Sequence, residues 1–171
     1  MLVNVVGLGE SAKSWNGEGF SIGVNDAFRF RPTNYLMVIN APNKFNAERL
    51  KIITESKPEK FIAHNYGWQK WFPDMEYIVP VSFTSAMIKD KVYCSRTSPF
   101  AAMSYAYNMG AKEIVLWGVD FKTHKYFYPG SGDLRAEMGA YSCFIEALTA
   151  RGCNVYQGVE GSELKLPVYA K

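Results

Sequence analysis

The segment Cys94–Lys122 constrains the fold more than any other part of the chain. It opens with a polar turn and predicts a helix over Phe100–Met109. Gly110 ends this helix, because glycine readily takes the positive φ found just past a helix end. The apolar run Glu113–Val119 follows, and a strand that is apolar on both faces is typical of a buried parallel strand. Asp120 closes the run and is therefore expected at the carboxyl edge of the sheet, where open α/β sheets bind ligands.

The same order, an apolar strand followed by glycine or asparagine, recurs near the start of the chain. The predicted strands are Leu2–Val6, Phe20–Val24 and Asn34–Ile39, and the residues after them are Gly7 to Ser11, Asn25 with Asp26, and Asn40. A strand that runs into a glycine turn is the layout of a nucleotide-phosphate loop, although a plain tight turn has the same pattern. Asparagine suits strand ends and also offers a donor and an acceptor to a base or ribose. Both interpretations stay open, and we expect Asn25, Asn40 and Ser98 to line one pocket.

The remaining segments alternate helices and short strands. Helices are predicted over Phe45–Ser56 and after Asp133, and strands over Lys60–His64, Met75–Val81 and Cys153–Tyr156. The last helix has an apolar face at spacings of three and four residues, formed by Leu134, Met138, Tyr141, Ile145 and Leu148. Glu137 and Glu146 are expected to face solvent, and the tail offers Leu164, Leu166 and Val168 for packing. This order predicts one domain over residues 1–171, with an α/β fold: a Rossmann-like doubly wound, mainly parallel sheet with helices on both faces.

Composition narrows the classes of partner. The chain has 171 residues, a net charge of +3 and scattered Lys and Arg, so no nucleic-acid-binding stripe is predicted. No apolar run approaches the roughly 20 residues that span a membrane, so no membrane partner is expected. Three cysteines without ligand spacing argue against a zinc site or a disulfide scaffold and favour a reducing, cytoplasmic compartment. Trp68 and Trp71 are expected to stack on one face of a short helix as a cap on the core. Alternatively, an exposed aromatic surface around them would allow a homo-oligomer.

Three pieces of sequence, in this order, resemble one group of proteins. They are GLGES at Gly7–Ser11 with GVND at Gly23–Asp26, INAP at Ile39–Pro42, and SRTSPFAAMSYAYNMGAKEIVLWGVDF at Ser95–Phe121 with the closing GCNVYQGVEGSELKLP at Gly152–Pro167. In these pieces the chain is similar to the Rossmann-like bacterial sialyltransferases of the Campylobacter type and to the related DUF115 and MptE-like proteins, among which small phage-encoded members occur. The resemblance covers most of the chain, and its most specific part is the turn, helix and strand that end in Gly-Val-Asp-Phe.

The resemblance implies a nucleotide site at the carboxyl edge of the sheet. The candidate nucleotide-binding residues are Gly7, Gly9, Ser11, Asn25, Asn40, Thr97, Ser98, Gly118, Lys122 and Tyr126. Leu8 and Glu10 replace an asparagine and a proline of the family's first loop, and Pro99 replaces a glycine before the long helix. The family's general-base histidine lies in a lid that is mostly missing here, and His124 stands near the start of the short loop in its place.

A glycosyltransferase needs a base for the acceptor hydroxyl and a partner for the leaving phosphate. His124 is the first candidate for the base, because imidazole exchanges protons near neutral pH, and Asp120 and Asp26 are the carboxylate alternatives. Lys122, Lys125 or Arg96 would neutralise the phosphate. No Asp-x-Asp motif occurs. A metal-independent reaction without a cofactor is therefore predicted, with a CMP- or UDP-sugar as donor and a glycan or another hydroxyl as acceptor.

Three functions stay open on the sequence alone, since a fold does not decide a function. The first is a small sialyltransferase-like glycosyltransferase. The second is an MptE-like Mg²⁺-dependent phosphotransferase, for which Asp26 and Asp120 would have to meet across the sheet edge. The third is a non-catalytic nucleotide-binding or phage assembly protein that has kept the fold without the lid.

Overall fold

The computed structural model describes residues 1–84, 86–88, 90–122 and 134–170. In these ranges the strands are β1 (Leu2–Val6), β2 (Ser21–Val24), β3 (Tyr35–Val38), β4 (Lys60–Ala63), β5 (Glu76–Tyr77), β6 (Val81–Ser82), β7 (Tyr93–Cys94), β8 (Glu113–Trp117) and β9 (Asn154–Gln157). The α-helices are α1 (Ala47–Glu55), α2 (Ser98–Asn108) and α3 (Met138–Thr149). Short 3₁₀ helices cover Glu10–Ser14, Ala27–Arg29, Pro42–Lys44, Tyr66–Trp68 and Leu134–Glu137.

Seven of the strands form one parallel sheet in the order β5-β4-β3-β2-β1-β8-β9. Val5 of β1 lies beside Ile22 of β2 on one side and beside Leu116 of β8 on the other. The chain therefore winds outward from β1 to β5 and then returns to the far side of β1 with β8 and β9. The strand order reverses between β1 and β8, and the carboxyl edge at such a switch point is where doubly wound sheets bind ligands. The predicted fold class is confirmed.

Helices cover both faces of this sheet. Val3 and Val5 belong to a core layer that contains the buried side chains of α2 and α3. Leu36 and Val38 pack instead with Ile53 of α1 and with Trp68 on the opposite face. Because side chains alternate along a strand, the central strands are apolar on both sides, which is the signal that predicted them.

The helix ends have identifiable chemistry. The side chain of Asn46 caps α1 by accepting a hydrogen bond of 2.9 Å from the backbone N–H of Arg49. Pro99 occupies the first turn of α2, where its missing N–H costs nothing. Gly110, with φ of +91°, follows α2, and Gly152, with φ of +77°, follows α3. The helices predicted over Phe45–Ser56 and Phe100–Met109 therefore occur, with ends shifted by one or two residues. The helix predicted after Asp133 also occurs, but its first turn is the 3₁₀ helix Leu134–Glu137 and α3 itself begins at Met138.

The predicted strand Met75–Val81 is wrong as a single element. β5 pairs with β4 at the edge of the main sheet, whereas β6 pairs with β7 in a separate two-stranded sheet. Pro80 lies between the two short strands and has no N–H for a sheet ladder. The apolar run is thus shared between two sheets.

One burial prediction is wrong, and another is confirmed. Glu137 is only 9% exposed, because it packs beside the loop before α2, while Glu146 is exposed as expected. Trp68 is fully buried, and its indole N–H donates to the backbone carbonyl of Asn40 over 2.9 Å. Trp68 therefore belongs to the core beneath α1, with Trp71 packed against it, which confirms the predicted cap on the core.

The tail after β9 packs against the sheet. Leu164 and Leu166 contact the main core, as expected. Val168 is 41% exposed, and its backbone instead forms a parallel bridge with Gln157 of β9. In the described ranges no helix is both long and apolar enough to cross a membrane.

Candidate functional site

The switch point between β1 and β8 is built from two backbone turns in direct contact. The N–H of Gly7 donates to the carbonyl of Trp117 over 2.7 Å, and the N–H of Gly9 donates to the carbonyl of Gly118 over 2.9 Å. The turn after β1 is thus hydrogen-bonded to the turn after β8. These two hydrogen bonds extend the parallel ladder beyond the ends of the strands. The two turns together form the floor of the candidate site.

Three glycines allow this close approach. A Cβ on Gly7 or Gly9 would collide with the carbonyl of Gly118 or the carboxylate of Asp120, respectively. Gly118 has φ of +68°, and a Cβ there would lie 2.8 Å from the Cβ of Ala12. The glycines are therefore required by packing between the two turns, which explains the glycine turn without a bound phosphate.

Asp120 fills the glycine turn with its own carboxylate. The backbone N–H of Ser11 donates to Asp120 Oδ2 over 2.9 Å, and the Ser11 hydroxyl donates to Oδ1. The N–H of Gly118 donates in turn to Ser11 Oγ over 2.7 Å. Asp120 is 8% exposed, so the carboxylate that was predicted as a base or ligand contact is hydrogen-bonded inside the floor of the site.

Asn25 and Ser98 meet at the carboxyl edge of β2. Asn25 has φ of +53°, a conformation that asparagine tolerates better than most residues. Its backbone N–H donates to Met37 of β3 over 3.0 Å, and its side-chain Oδ1 accepts a long hydrogen bond of 3.4 Å from the Ser98 hydroxyl. Two of the three residues expected to share a pocket are thus in contact, although 73 positions separate them.

Asp26 takes a structural place next to Asn25. Its carboxylate is fully buried and forms ion pairs with Arg29, in the following 3₁₀ helix, and with Arg49 of α1. Both carboxylate oxygens are used in this way. The Asp26 side chain therefore anchors the end of β2 to α1. This structural role differs from the catalytic role predicted for Asp26. Because both carboxylate oxygens are paired with arginines, they are not available to share a magnesium ion with Asp120.

The turn before α2 is held by α3 and by the 3₁₀ helix that precedes it. Thr97 Oγ1 lies 2.6 Å from the phenolic oxygen of Tyr141, and the backbone N–H of Arg96 donates to Glu137 over 3.2 Å. Tyr141 is fully buried, and its burial raises its pKa above the ordinary value, so the phenol stays protonated. Phe121, with φ of +57°, packs edge-on against Tyr141 at 4.8 Å between ring centroids.

Two further predicted residues lie on the surface of this edge. Asn40 is exposed at the end of β3, the strand next to β2. Lys122 is exposed after β8, and its Nζ lies 3.9 Å from the point where a Cβ on Gly161 would stand. The tail closes over β8 here, since the Ser162 hydroxyl donates to the carbonyl of Val119 over 2.9 Å. His124, Lys125, Tyr126 and Asp133 lie outside the described residues.

Sequence reasoning missed the residues that support the site from behind. Tyr141 was assigned to an apolar face, and Glu137 to solvent, yet both hold the turn before α2. Arg49 was not singled out at all, although it pairs with Asp26. One signal was present: a tyrosine on a buried helix face needs a partner for its hydroxyl, so it predicts a polar contact within the core.

The fold and the polar residues at its switch point define an open, Rossmann-like α/β protein. No family model and no curated protein sequence matches the chain significantly. Among solved structures it is similar to the sialyltransferase CstII from Campylobacter jejuni in complex with the substrate analogue CMP-3FNeuAc, with 14% identity over 99% of this chain and 85% of that chain and a TM-score of 0.61. It is also similar to the same enzyme in complex with a trisaccharide acceptor and CMP, with 15% identity over 100% of this chain and 86% of that chain and a TM-score of 0.60. The TM-scores show a shared fold, and at these low identities the similarity shows the fold alone.

Proposed function

We propose that the chain binds a nucleotide sugar at the carboxyl edge of β1, β2 and β8 and transfers the sugar to a hydroxyl acceptor. The observation that carries the proposal is the contact between Asn25 and Ser98 at the carboxyl edge, where the turns after β1 and β8 are hydrogen-bonded to each other. A polar residue held at positive φ on a ligand-binding edge is typical of a functional site. The solved structures of similar fold, which are sialyltransferases in complex with CMP or its sugar analogue, support the same class of donor.

The described residues supply binding and orientation. The Asn25 side chain accepts from Ser98 through Oδ1, so its amide N–H groups are directed to other acceptors, such as a base carbonyl or a ribose oxygen. Thr97 is held by the buried Tyr141. The amino terminus of α2 then presents a rigid surface on which the nucleotide rests, since both of its polar side chains have fixed partners.

The reaction is a displacement at the anomeric carbon of the donor sugar. The acceptor oxygen forms the new bond, the bond between the anomeric carbon and the phosphate oxygen breaks, and the nucleotide leaves with the electron pair. A base takes the proton of the acceptor hydroxyl. We assign this base to His124, because Asp120 and Asp26 already hold protein donors in the described residues. We assign the neutralisation of the leaving phosphate to Lys122, a cation that is exposed two residues after Asp120.

A thermal-shift screen tests the donor, with CMP, UDP, GDP, CMP-sialic acid, UDP-sugars and ATP, each with and without Mg²⁺. A ligand at 100 times its Kd stabilises the folded state by about 2.7 kcal/mol. We expect a shift with a nucleotide sugar in the absence of metal. Product analysis by mass spectrometry then separates the alternatives: phosphate transfer that needs ATP and Mg²⁺ identifies an MptE-like enzyme, and binding without any product identifies a non-catalytic protein.

Variants locate the binding site. Asn25→Gly removes the amide and keeps the positive φ, so we expect the Kd for the nucleotide to rise about tenfold or more with the fold intact. Asn154→Gly is the control, because Asn154 is exposed at the opposite, amino edge of the sheet. An equal effect of both substitutions on nucleotide affinity, or a flat response to every nucleotide, would contradict the proposal.

A further inference from the structure

A groove lies beside β5, the strand at one end of the main sheet. Its volume is about 400 Å³, a size at which preformed binding sites occur. Residues 76–79 form one wall, residues 90–92 form the facing wall, and the carboxyl-terminal end of α2 forms the floor. Tyr105 lines this floor about 10 Å further along α2 than Ser98. The groove is therefore separate from the proposed nucleotide site at the amino terminus of α2.

The strand β5 turns backbone groups toward this groove. The N–H of Ile78 donates to the carbonyl of Ala63 over 2.9 Å, and the Ile78 carbonyl oxygen lies 3.0 Å from Nδ1 of His64. Along a strand, only every second residue directs its N–H and C=O to the same neighbour. Tyr77 and Val79 therefore direct theirs away from β4. In the described ranges no hydrogen bond joins these backbone groups to another element.

The opposite edge of the main sheet is covered by the chain itself. The N–H of Gln157 in β9 donates to the carbonyl of Pro167 over 3.0 Å, and the N–H of Tyr169 donates to the carbonyl of Gln157 over 2.9 Å. The tail thus pairs with β9 as an added strand does. Proteins usually cover or charge such edges, because unpaired strand groups attract another chain. The edge of β5 instead carries apolar side chains, with Val79 63% and Tyr77 37% exposed.

Both walls of the groove are attached to α2. The Tyr105 hydroxyl donates to Glu76 Oε2 over 2.7 Å, which joins the helix to β5. Asn108 Nδ2 donates to the carbonyl of Lys91 over 2.9 Å, which joins the same helix to the facing wall. The separation between the walls is therefore set by the fold before a ligand arrives. A preformed groove loses less entropy on binding than a loop that has to be ordered.

The charges around the groove balance one another. Glu76 is paired with Lys60, with 3.0 Å between Nζ and the carboxylate. Asp90 and Lys91, both exposed on the facing wall, bring one charge of each sign. The groove therefore favours a ligand without net charge.

The open backbone groups fit one kind of ligand. The alternating N–H and C=O groups of Tyr77 and Val79 match another peptide backbone in an extended conformation, which is the recognition mode called strand addition. The side chains of Tyr77 and Val79 lie on one face of the strand, since successive residues alternate. Aromatic and β-branched residues on a neighbouring strand pack well against such a pair.

We propose that the open edge of β5 binds an extended peptide segment of a partner protein, with no net charge and with β-branched or aromatic residues at alternate positions. The segment lies between residues 76–79 and residues 90–92 and exchanges hydrogen bonds with the backbone groups of Tyr77 and Val79. Its apolar side chains pack on these two residues. The interaction needs neither nucleotide nor sugar, so it is independent of the proposed transferase function.

Selection from phage-displayed random heptapeptides tests the groove, with the full chain as bait and the Val79→Pro variant for counter-selection. Proline removes the N–H of residue 79 and places its ring in the path of an added strand. That N–H has no partner in the part of the chain that the structure describes, so the variant keeps the contacts of the fold. We expect a consensus with β-branched or aromatic residues two positions apart. Random recovery, or peptides that bind Val79→Pro equally well, overturns the proposal.

Fluorescence anisotropy with a selected, labelled peptide then separates backbone from side-chain contacts. Val79→Pro should raise the Kd about tenfold or more, and Val79→Ala, which keeps the N–H, about threefold or less. Val168→Ala is the matched control, because it shortens another exposed valine in the tail beside β9, and it should leave the Kd unchanged. Equal losses in Val79→Pro and Val79→Ala would contradict pairing through the backbone.

Methylated peptides give the same test on the unchanged protein. Two versions of the selected peptide carry N-methyl groups on alternate amides, one version in each of the two possible registers. Only one register places its N–H groups toward β5. We expect that version to lose about tenfold or more in affinity and the other about threefold or less. Equal losses in both registers overturn strand addition, whatever the stability of Val79→Pro.

Two further measurements separate the alternatives. Concentration-dependent dimerisation in light scattering that Val79→Pro abolishes overturns the proposal, because β5 would then pair with a second copy of the chain. The thermal-shift response to nucleotides should be the same in the wild type and in Val79→Pro. Peptide binding without nucleotide binding keeps the groove and rejects the transferase, whereas nucleotide binding without a selected peptide keeps the donor site and rejects the groove.

Discussion

The carboxylate of Asp120 accepts hydrogen bonds from both the backbone N–H and the hydroxyl of Ser11, a residue 109 positions earlier. This contact joins the ends of β8 and β1 at the point where the strand order reverses. An anion that approached the glycine turn would therefore meet a carboxylate already in place. The nucleotide phosphate of the proposed donor is expected beside α2, away from this turn.

Removing this carboxylate should destabilise the fold at the switch point. Hydrogen bonds to a charged group contribute about 1.5–3 kcal/mol, so Asp120→Ala should lower the free energy of unfolding in urea by about 3 kcal/mol and Asp120→Asn by less. Asp74→Asn is the control, because Asp74 is exposed, and it should change stability by no more than about 0.5 kcal/mol. Equal midpoints for Asp120→Ala and the wild type would show that the contact is unimportant.

The glycines provide a graded test of backbone geometry. Gly118→Ala should cost about 3 kcal/mol or more, because a positive φ and a contact of 2.8 Å with Ala12 act together. Gly110 has φ of +91° and open space around it, so Gly110→Ala should cost about 1 kcal/mol. Gly139 lies in α3 with open space, and Gly139→Ala should stabilise by about 0.5–1 kcal/mol. Thermal unfolding ranks the three, and a different order would refute the explanation.

Asp26 should be more important for stability than for chemistry. Breaking a buried ion pair from one side typically costs 3–5 kcal/mol, so Asp26→Asn is expected to lose about that much, because Arg29 and Arg49 keep their charges. Glu48→Gln removes an exposed partner of Arg29 and should cost no more than about 1 kcal/mol. Urea denaturation measures both. A fully stable Asp26→Asn protein without transfer activity would restore the catalytic role.

Tyr141 should make the fold sensitive to alkali. Burial raises its pKa in the folded state above the unfolded value of about 10. The folded state therefore holds this proton more tightly, so its contribution is complete below about pH 10 and is lost as pH rises above that value. Tyr141→Phe should cost about 1 kcal/mol at pH 7 by removing the bond with Thr97, but its stability should fall less steeply above pH 10. Tyr77→Phe, at an exposed position, is the control, and an identical alkaline slope in all three proteins would contradict the prediction.

Cysteine labelling should follow burial. Cys153 is fully buried, and burial raises its pKa to about 11, so about one thiol in a thousand is ionised at pH 8. Cys143 is exposed on α3. Iodoacetamide should therefore modify Cys143 first, and Cys143→Ser should leave Cys153 unlabelled until urea is added. Mass spectrometry of the peptides measures this, and rapid native labelling of Cys153 would mean that α3 opens from β9.

The elements that the sequence predicted well are those with a local cause. β1 and β8 are predominantly apolar and occur within two residues of the predicted ends, because a strand buried on both faces is rich in apolar residues. Gly110 and Gly152 mark helix ends through their own backbone freedom. Met75–Val81 failed because the same apolar pattern serves two sheets, and only the partners β4 and β7 decide where it divides.

The candidate site shows the same contrast between features with a local cause and features that depend on the tertiary structure. Asn25, Asn40 and Asp120 were expected at one edge because each follows a strand and parallel strands place their carboxyl ends together. Ser98 was expected there from the family resemblance. The partners of each side chain depend on groups far apart in the chain: Asp120 meets Ser11, and Asp26 meets Arg49. A carboxylate next to a strand looks the same in sequence whether it faces a ligand or an arginine.

The sequence by itself determined the α/β class, the positions of the central strands and the clustering of polar residues at the carboxyl edge, because apolar periodicity and glycine geometry act over a few residues. Only the tertiary structure decided which polar groups remain available to a ligand. Hydrogen bonds and ion pairs form wherever folding brings a donor to an acceptor, and in this protein Asp26 and Arg49 meet across 23 positions of the chain, Thr97 and Tyr141 across 44, and Ser11 and Asp120 across 109.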